Sequence, residues 1–375
     1  MPETSILLLG PRGTGKSTWI HQNFRDVPTY DLLNTEESLR LSKEPGLLYR
    51  ELHPLKPNSW VVLDEVQKVP DLLNEVHRLI EKHRIRFVLC GSSARKLKRG
   101  GTNLLAGRAR MAQFFPLVSA EIEFKMEPFR ILQYGMLPMA VTGSDPGSYL
   151  KTYAEVYLGE EIKGEALTQN IGHFGRFLEI AARQNGQVTN VSGISRDAQV
   201  ARQTVQGYFN ILIDTLVGSW LFPWKLKRAT KQVVHPKFYF FDSGVVRALS
   251  ERLPYPPTQE ELGPLLETWI LHELRAYMTY SKLGYPVYFW SNHNGVEVDF
   301  LFETQKGFVA IECKVGTRWE SRYQRGLKMV CEEMGKTKVK GYGVFGGERK
   351  AVFEEMEVLP VLDFLRKLWS GEIIR

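Results

Sequence analysis

Residues 10–17 read Gly10-Pro11-Arg12-Gly13-Thr14-Gly15-Lys16-Ser17. This run constrains the fold more than any other because of what flanks it. The apolar Ser5-Ile6-Leu7-Leu8-Leu9 precedes it and Thr18-Trp19-Ile20 follows, so a buried strand, a glycine-rich turn and a helix start succeed one another within about twenty residues. A G-x-x-x-x-G-K-[ST] loop in that setting turns backbone N–H groups inward at the positive end of a helix dipole, which is a cradle for phosphate. Lys16 is then placed to reach β- and γ-phosphate oxygens and Ser17 to ligate Mg²⁺. Gly10 to Thr18 are the candidate nucleotide-binding residues, and ATP or GTP, with Mg²⁺, is the first ligand to expect.

A chain of 375 residues with 43% hydrophobic content can bury more than one core, so two or three domains are expected. The phosphate loop starts at residue 10, which leaves little room for a signal peptide, and no apolar run approaches the roughly 18 residues of a membrane helix. A cytoplasmic protein without membrane contact is the expectation. Cys90, Cys313 and Cys331 are widely spaced and form no C-x-x-C pattern, which points away from a disulfide framework or a zinc site. The net charge of +7 is modest but unevenly spread. Arg95, Lys96, Lys98, Arg99, Arg108 and Arg110 make one basic cluster; Lys225, Lys227, Arg228, Lys231 and Lys237 make another, in a stretch free of acids between Asp214 and Asp242. Such clusters are either solvated faces or contacts for a polyanion.

Trp60-Val61-Val62-Leu63-Asp64-Glu65 is an apolar strand that ends in two acids. Asp64 is expected to hold Mg²⁺ through water. Glu65, pointing the other way, is expected to activate the water that attacks the γ-phosphate. A third strand, Arg86-Phe87-Val88-Leu89-Cys90, runs into Gly91-Ser92-Ser93 and places Ser92 where it can sense a γ-phosphate.

The order of these motifs, with Asp64-Glu65-Val66-Gln67-Lys68-Val69-Pro70-Asp71, Cys90-Gly91-Ser92-Ser93-Ala94 and Leu105-Ala106-Gly107-Arg108, resembles prokaryotic AAA+ ATPases that carry a C-terminal domain of unknown function. The resemblance covers nearly the whole chain and is most specific over the first 120 or so residues. It implies ATP hydrolysis in a homo-oligomeric ring, a hexamer being one form, and makes Arg108 the candidate arginine that completes a neighbouring subunit's γ-phosphate site.

The middle of the chain reads as a central winged helix-turn-helix. Phe174, Phe177, Leu178, Ala181 and Ala182 have helical spacing and end at Gly186, and a second helix is expected after Asn190. A third helix has the buried stripe Val205, Tyr208, Phe209 and Leu212, and 216–227 with 233–241 alternate like a hairpin. In that arrangement Arg202, Gln203 and Gln206 lie on the exposed face of a recognition helix and Lys225, Lys227 and Arg228 on the wing, both facing DNA phosphates. Winged helices also serve as packing modules between domains.

Toward the C-terminus, Glu297-Val298-Asp299-Phe300-Leu301-Phe302 and Phe308-Val309-Ala310-Ile311-Glu312-Cys313-Lys314-Val315 are two strands around Thr304-Gln305-Lys306-Gly307. Period two puts Glu312 and Lys314 on one face. An even turn centred between Gln305 and Lys306 sets Asp299 opposite Glu312, about 5 Å apart at Cβ. A three-residue turn with Gly307 as its bulge instead moves Asp299 to the Cys313 face. In the first case two close carboxylates call for a cation, with Mg²⁺ or Mn²⁺ suited to oxygen ligands, and Lys314 can position or deprotonate a water. The pattern resembles the PD-(D/E)XK nuclease core, although Val298 stands where a proline often precedes the first acid. That resemblance implies a restriction-endonuclease-like α/β domain and a further acid from the first helix, Glu267, so that Asp299, Glu312 and Glu267 are the candidate metal ligands.

The fold class expected is α/β: a P-loop AAA+ core (1–148), a helical linker and winged helix-turn-helix (149–245), and a nuclease-like domain (246–375). The function expected is an ATPase acting on DNA as an oligomeric motor on branched or stalled structures, with a metal-dependent cleavage centre. The rival readings are a nucleotide-dependent switch whose C-terminal domain is a docking module, and a defence nuclease gated by nucleotide.

Overall fold

Because strand side chains alternate, Ile6 and Leu8 of the first strand belong to one apolar cluster and Leu7 and Leu9 to another, one on each face of a sheet. The computed structural model of the protein describes residues 4–93, 105, 107–157, 171–224, 235–335, 338–353 and 356–374. The chain divides into two units: Met1–Pro116 with Ile211–Val217, and Leu117–Asn210 with Gly218–Arg375.

In the first unit, β1 (Ser5–Leu9), β2 (Thr29–Asp31), β3 (Trp60–Asp64), β4 (Arg86–Gly91) and β5 (Ala109–Gln113) form a parallel sheet in the order β2-β3-β4-β1-β5. Helices α1 (Lys16–Asn23), α2 (Thr35–Lys43), α3 (Gly46–Leu52) and α4 (Leu72–His83) connect the strands. Leu48, Leu72, Val76 and Leu79 of α3 and α4 pack on Leu7, Leu9, Val61, Leu63, Phe87 and Leu89; Ile20 and Phe24 cover Ile6, Leu8, Val62 and Val88. With all strands parallel, the carboxyl ends of β1, β3 and β4 lie on one edge, the place where open α/β sheets bind ligands. β4 separates β1 from β3, so Ser92 leaves the sheet between the phosphate loop and Asp64-Glu65.

The second unit begins with three short helices, α5 (Pro128–Tyr134), α6 (Pro138–Thr142) and α7 (Pro146–Thr152). There follow α8 (Ile171–Arg183), α9 (Val191–Ala198) and α10 (Arg202–Asp214), whose final residues belong to the first unit, and the antiparallel strands β6 (Gly218–Pro223) and β7 (Lys237–Phe240). Val205, Tyr208, Phe209 and Leu212 are buried, the stripe that helical spacing indicates. Phe174, Phe177, Tyr208, Phe209 and Phe238 meet edge-on or tilted at centroid distances of 4.7–5.5 Å. The β6–β7 pair is more than a hairpin at the end of three helices. Phe222 and Pro223 pair in parallel with Tyr288 and Phe289 of β8 (Tyr288–Ser291), so it joins an eight-stranded sheet.

After α11 (Ser243–Leu249) comes α12 (Gln259–Tyr280), begun by a Thr258–Glu261 capping box. The sheet continues with β9 (Glu297–Thr304), β10 (Gly307–Lys314), β11 (Val339–Phe345), β12 (Ala351–Phe353) and β13 (Met356–Pro360), in the order β12-β13-β11-β10-β9-β8-β6-β7. Helices α13 (Arg325–Met334) and α14 (Val361–Ser370) pack on it. Among the described residues, no helix is long and apolar enough to cross a membrane.

Candidate functional site

The phosphate loop joins β1 to α1. Gly13 and Gly15 take φ of 69° and 93°, which a side chain at either position would strain. Lys16 is 5% exposed and donates its ammonium protons to the carbonyls of Gly10 and Pro11, at 2.7 and 2.8 Å, folding back over the loop. Burial lowers its pKa against the pull of Glu65 and Asp64. The Thr14 hydroxyl braces the same loop by donating to Pro11 O at 2.7 Å. Ser17 Oγ donates to Asp64 Oδ2 at 3.2 Å, so the two groups that would share Mg²⁺ already meet, and Thr18 is exposed beside them.

Glu65 lies just past the end of β3, where strand alternation no longer applies. Its φ of 54° is left-handed, rare for a residue with a side chain, and its amide donates to Asp64 Oδ1. The turn directs the carboxylate inward, where Glu65 is 6% exposed. Glu65 Oε2 accepts from Gln67 Nε2 and, at 3.2 Å, from Ser92 Oγ; Gln67 Nε2 also reaches Ser92 Oγ at 3.0 Å. A Cβ on Gly91 would lie 2.5 Å from Gln67 Oε1, so Gly91 makes room for this side chain. Gln67 is the residue that reading by motif missed, although it stands inside the Asp64-Glu65-Val66-Gln67 run. The guanidinium of Arg108 pairs with Glu81 of α4.

In the second unit, β9 and β10 pair with Thr304 opposite Gly307 and Ile311 opposite Phe300, the register of an even, two-residue turn. No Asn-Gly is needed, because Thr304 Oγ1 closes the turn: it accepts from Lys306 N–H and donates to Gly307 O. Continued by one pair, this register sets Asp299 opposite Glu312. Asp299 Oδ2 accepts from Cys313 N–H at 2.7 Å, and Lys314 Nζ donates to Glu312 Oε1 and to Cys313 O. Glu267, on α12, joins them and accepts from Tyr239 OH at 2.6 Å. Burial first and Asp299 second push the carboxyls of Glu312 and Glu267 above their usual range. For Lys314, the lowering effect of burial is outweighed by Asp299 and Glu312, and its pKa rises.

Lys237 departs from its reading as part of a surface basic cluster. It is 5% exposed and pairs with Glu297 Oε2 at 2.8 Å. The reason is local: β7 is buried along its whole length, and Lys237 and Tyr239 share a face by alternation. That parity was readable in the sequence; what the face met was not. Among the described residues, no group of three or more His, Cys, Asp or Glu side chains is arranged to hold a metal ion. Glu312 Oε2 is nevertheless buried without a hydrogen-bond partner, an acceptor that fits a cation. Arg202, Gln203 and Gln206 are exposed on α10, whereas Lys225, Lys227, Arg228 and Lys231, with Arg95, Lys96, Lys98 and Arg99, lie outside the described residues.

Residues 2–123 match the AAA domain family, and 128–255 and 262–364 match two families described as domains of unknown function, DUF8612 and DUF4143. Over those first residues the chain is similar to AAA domains, a family that implies nucleotide binding, typically with Mg²⁺. Uncharacterized proteins of Mycobacterium tuberculosis and Mycobacterium bovis are each 26% identical over 307 residues, covering 80% of this chain and 67% of theirs. Among solved structures, the Orc1 protein of Aeropyrum pernix in complex with DNA is similar at a TM-score of 0.30 and 14% identity, over 66% of this chain and 86% of that one. The protein VC1899 of Vibrio cholerae is similar at 0.23 and 10%, over 98% and 97%. Likenesses this loose have no bearing on function.

Proposed function

We propose that this AAA-type ATPase hydrolyses ATP to act on DNA, as a ring of copies of this chain, and that its C-terminal unit is a restriction-endonuclease-like domain with a metal-dependent centre for phosphodiester cleavage. One observation carries the reading: Asp299, Glu312, Lys314 and Glu267 converge on one buried cluster across β9, β10 and α12, in a chain that also holds a nucleotide loop. In the nucleotide site, Lys16 and the loop amides bind the phosphates, Ser17 and Asp64 hold Mg²⁺, Glu65 receives the proton of the attacking water, and Arg108 serves a neighbouring subunit. In the C-terminal site, Asp299 and Glu312, with Glu267 behind them, would hold Mg²⁺ or Mn²⁺, which supplies a Lewis acid and an activated water. Lys314 orients the phosphate and balances its charge. The helices α8–α10 with β6 and β7 act as a winged helix, Arg202, Gln203 and Gln206 face the DNA backbone, and Lys225, Lys227 and Arg228 are further candidates for phosphate contact by their charge.

The test combines two assays on the full chain, ATP turnover and cleavage with Mg²⁺ and with Mn²⁺, each on single strands, duplex, forks and four-way junctions. DNA-stimulated turnover and metal-dependent cutting of at least one structure are expected. Slow turnover indifferent to every DNA, with all substrates intact, replaces this reading by that of a nucleotide-dependent switch.

A further inference from the structure

The C-terminal acidic cluster is more than the two strand acids and their lysine. Strand β7, which comes from the segment before α12, brings Lys237 and Tyr239 into it on one face. Tyr239 OH donates to Glu267, and Lys237 Nζ pairs with Glu297, two residues before Asp299 on β9. Lys237 is buried, with its ammonium 5.1 Å from the Phe289 ring centroid, so little solvent screens it from the carboxylates. Its strongest charge partners are Glu267, then Asp299, then Glu297.

From the other side, Lys314 holds Glu312 Oε1. The acids Glu267, Asp299, Glu312 and Glu297 therefore face two ammonium groups. Yet Glu312 is 8% exposed and its Oε2 has no partner. A buried carboxylate oxygen left without a donor costs stability unless something else takes it up. The cluster is thus short of cationic contact at one oxygen and already supplied with positive charge at its rear.

Resting on the reading of this cluster as a divalent-metal centre, we infer that Lys237 is a built-in counter-ion that competes with the metal: it neutralises Glu267 and Asp299 when no metal is bound, and weakens the site's affinity for Mg²⁺ or Mn²⁺. A fixed ammonium repels a second cation at the same carboxylates, and in a poorly screened site that repulsion is strong. Lys237 is a positioning residue, acting through the acids and not on the substrate.

The experiment is Mn²⁺ binding to the full chain without nucleotide or DNA, followed by the electron paramagnetic resonance signal of free Mn²⁺, with Glu312→Gln protein as the blank for this site. Lys237→Met should bind Mn²⁺ at least about tenfold more tightly than the wild type, which corresponds to about 1.4 kcal/mol. Lys237→Arg, which keeps the charge, should stay near wild type. Should Lys237→Met fail to fold, Lys237→Gln retains a hydrogen-bonding end for Glu297 and carries the same expectation. Tighter binding in Lys237→Arg as well traces the effect to loosened packing and overturns the inference. So does a wild type that binds Mn²⁺ while the neutral variant binds it no tighter. If neither wild type nor neutral variant takes up Mn²⁺ beyond the blank, the metal centre itself is refuted, an outcome separate from the other two.

Discussion

Both units bring acids to one place, but they handle the charge differently. In the first, Asp64 lies at the end of a strand, meets the neutral hydroxyl of Ser17, the Cys90 thiol and its own neighbour's amide, and stands beside a loop built to receive an anion. In the second, Asp299, Glu312 and Glu267 lie among Lys314, on the strand of Glu312 itself, and Lys237 and Tyr239 of β7. The nucleotide site leaves most of its counter-charge to the ligand. The C-terminal site carries much of its own, so its acids are costly to keep there without a function that uses them.

The sharpest way to break the comparison is to remove one C-terminal acid. Asp299→Ala or Glu312→Ala should reduce metal-dependent DNA cleavage to background while ATP turnover stays within about twofold of wild type, because the two reactions use different groups. Parallel cleavage and ATPase assays decide it; a joint loss of both activities in folded protein would merge the two sites into one. At the other site, Glu65→Gln should leave MgATP bound and slow turnover by at least about a hundredfold, since an amide cannot accept the water's proton. Near-normal hydrolysis would remove Glu65 from that role.

The two sites also differ in how legible they were. Every residue of the phosphate loop stands in one contiguous run, and its flanking strand and helix follow from local periodicity. The C-terminal cluster depended on a register: one extra residue in the turn would have sent Asp299 to the other face. The hydroxyl of Thr304 decides that turn, and hydroxyl-closed turns carry no strong sequence signature. Lys237 and Tyr239 were less legible still, because the pairing of β6 with β8 that carries β7 into the sheet spans some 65 residues of chain. The same long-range blindness concealed Glu273, further along α12 than Glu267.

Glu273 is 0% exposed and faces no cation among its hydrogen-bond partners. It accepts from Ser119 N–H and Oγ–H and from the indole N–H groups of Trp269 and Trp369. It therefore marks what a purely structural buried acid looks like on the same helix as Glu267. Glu273→Ala strands three buried donors and one half-buried one, and should destabilise the protein by about 3 kcal/mol or more. Urea denaturation of the variant measures this. A change below about 1 kcal/mol would mean that water enters and replaces the carboxylate.

A smaller effect separates holding a base from supplying one. Gln67→Ala frees Glu65 Oε2 from one of its two side-chain donors, and kcat should fall by about tenfold with nucleotide affinity unchanged, a loss of about 1.4 kcal/mol in the transition state alone. Turnover and equilibrium nucleotide binding, measured together, make the split visible. A rise in kcat would show instead that Gln67 restrains the base.

The smallest expected effect concerns DNA. Arg202 is exposed at the start of α10 with Gln203 and Gln206 near it, and the reading given to these residues is contact with phosphate more than with bases. Each phosphate neutralised by a cationic side chain contributes about 0.9 to the dependence of log affinity on log salt. Arg202→Ala should therefore lower that slope by about 1 and weaken binding by a few-fold at moderate salt, equally for unrelated sequences. Fluorescence anisotropy with two unrelated duplexes over a range of salt concentrations measures slope and selectivity together. An unchanged slope moves the DNA path away from α10. A loss confined to one sequence would mean that Arg202 reads a base edge, and the middle helices would then choose the DNA as well as hold it.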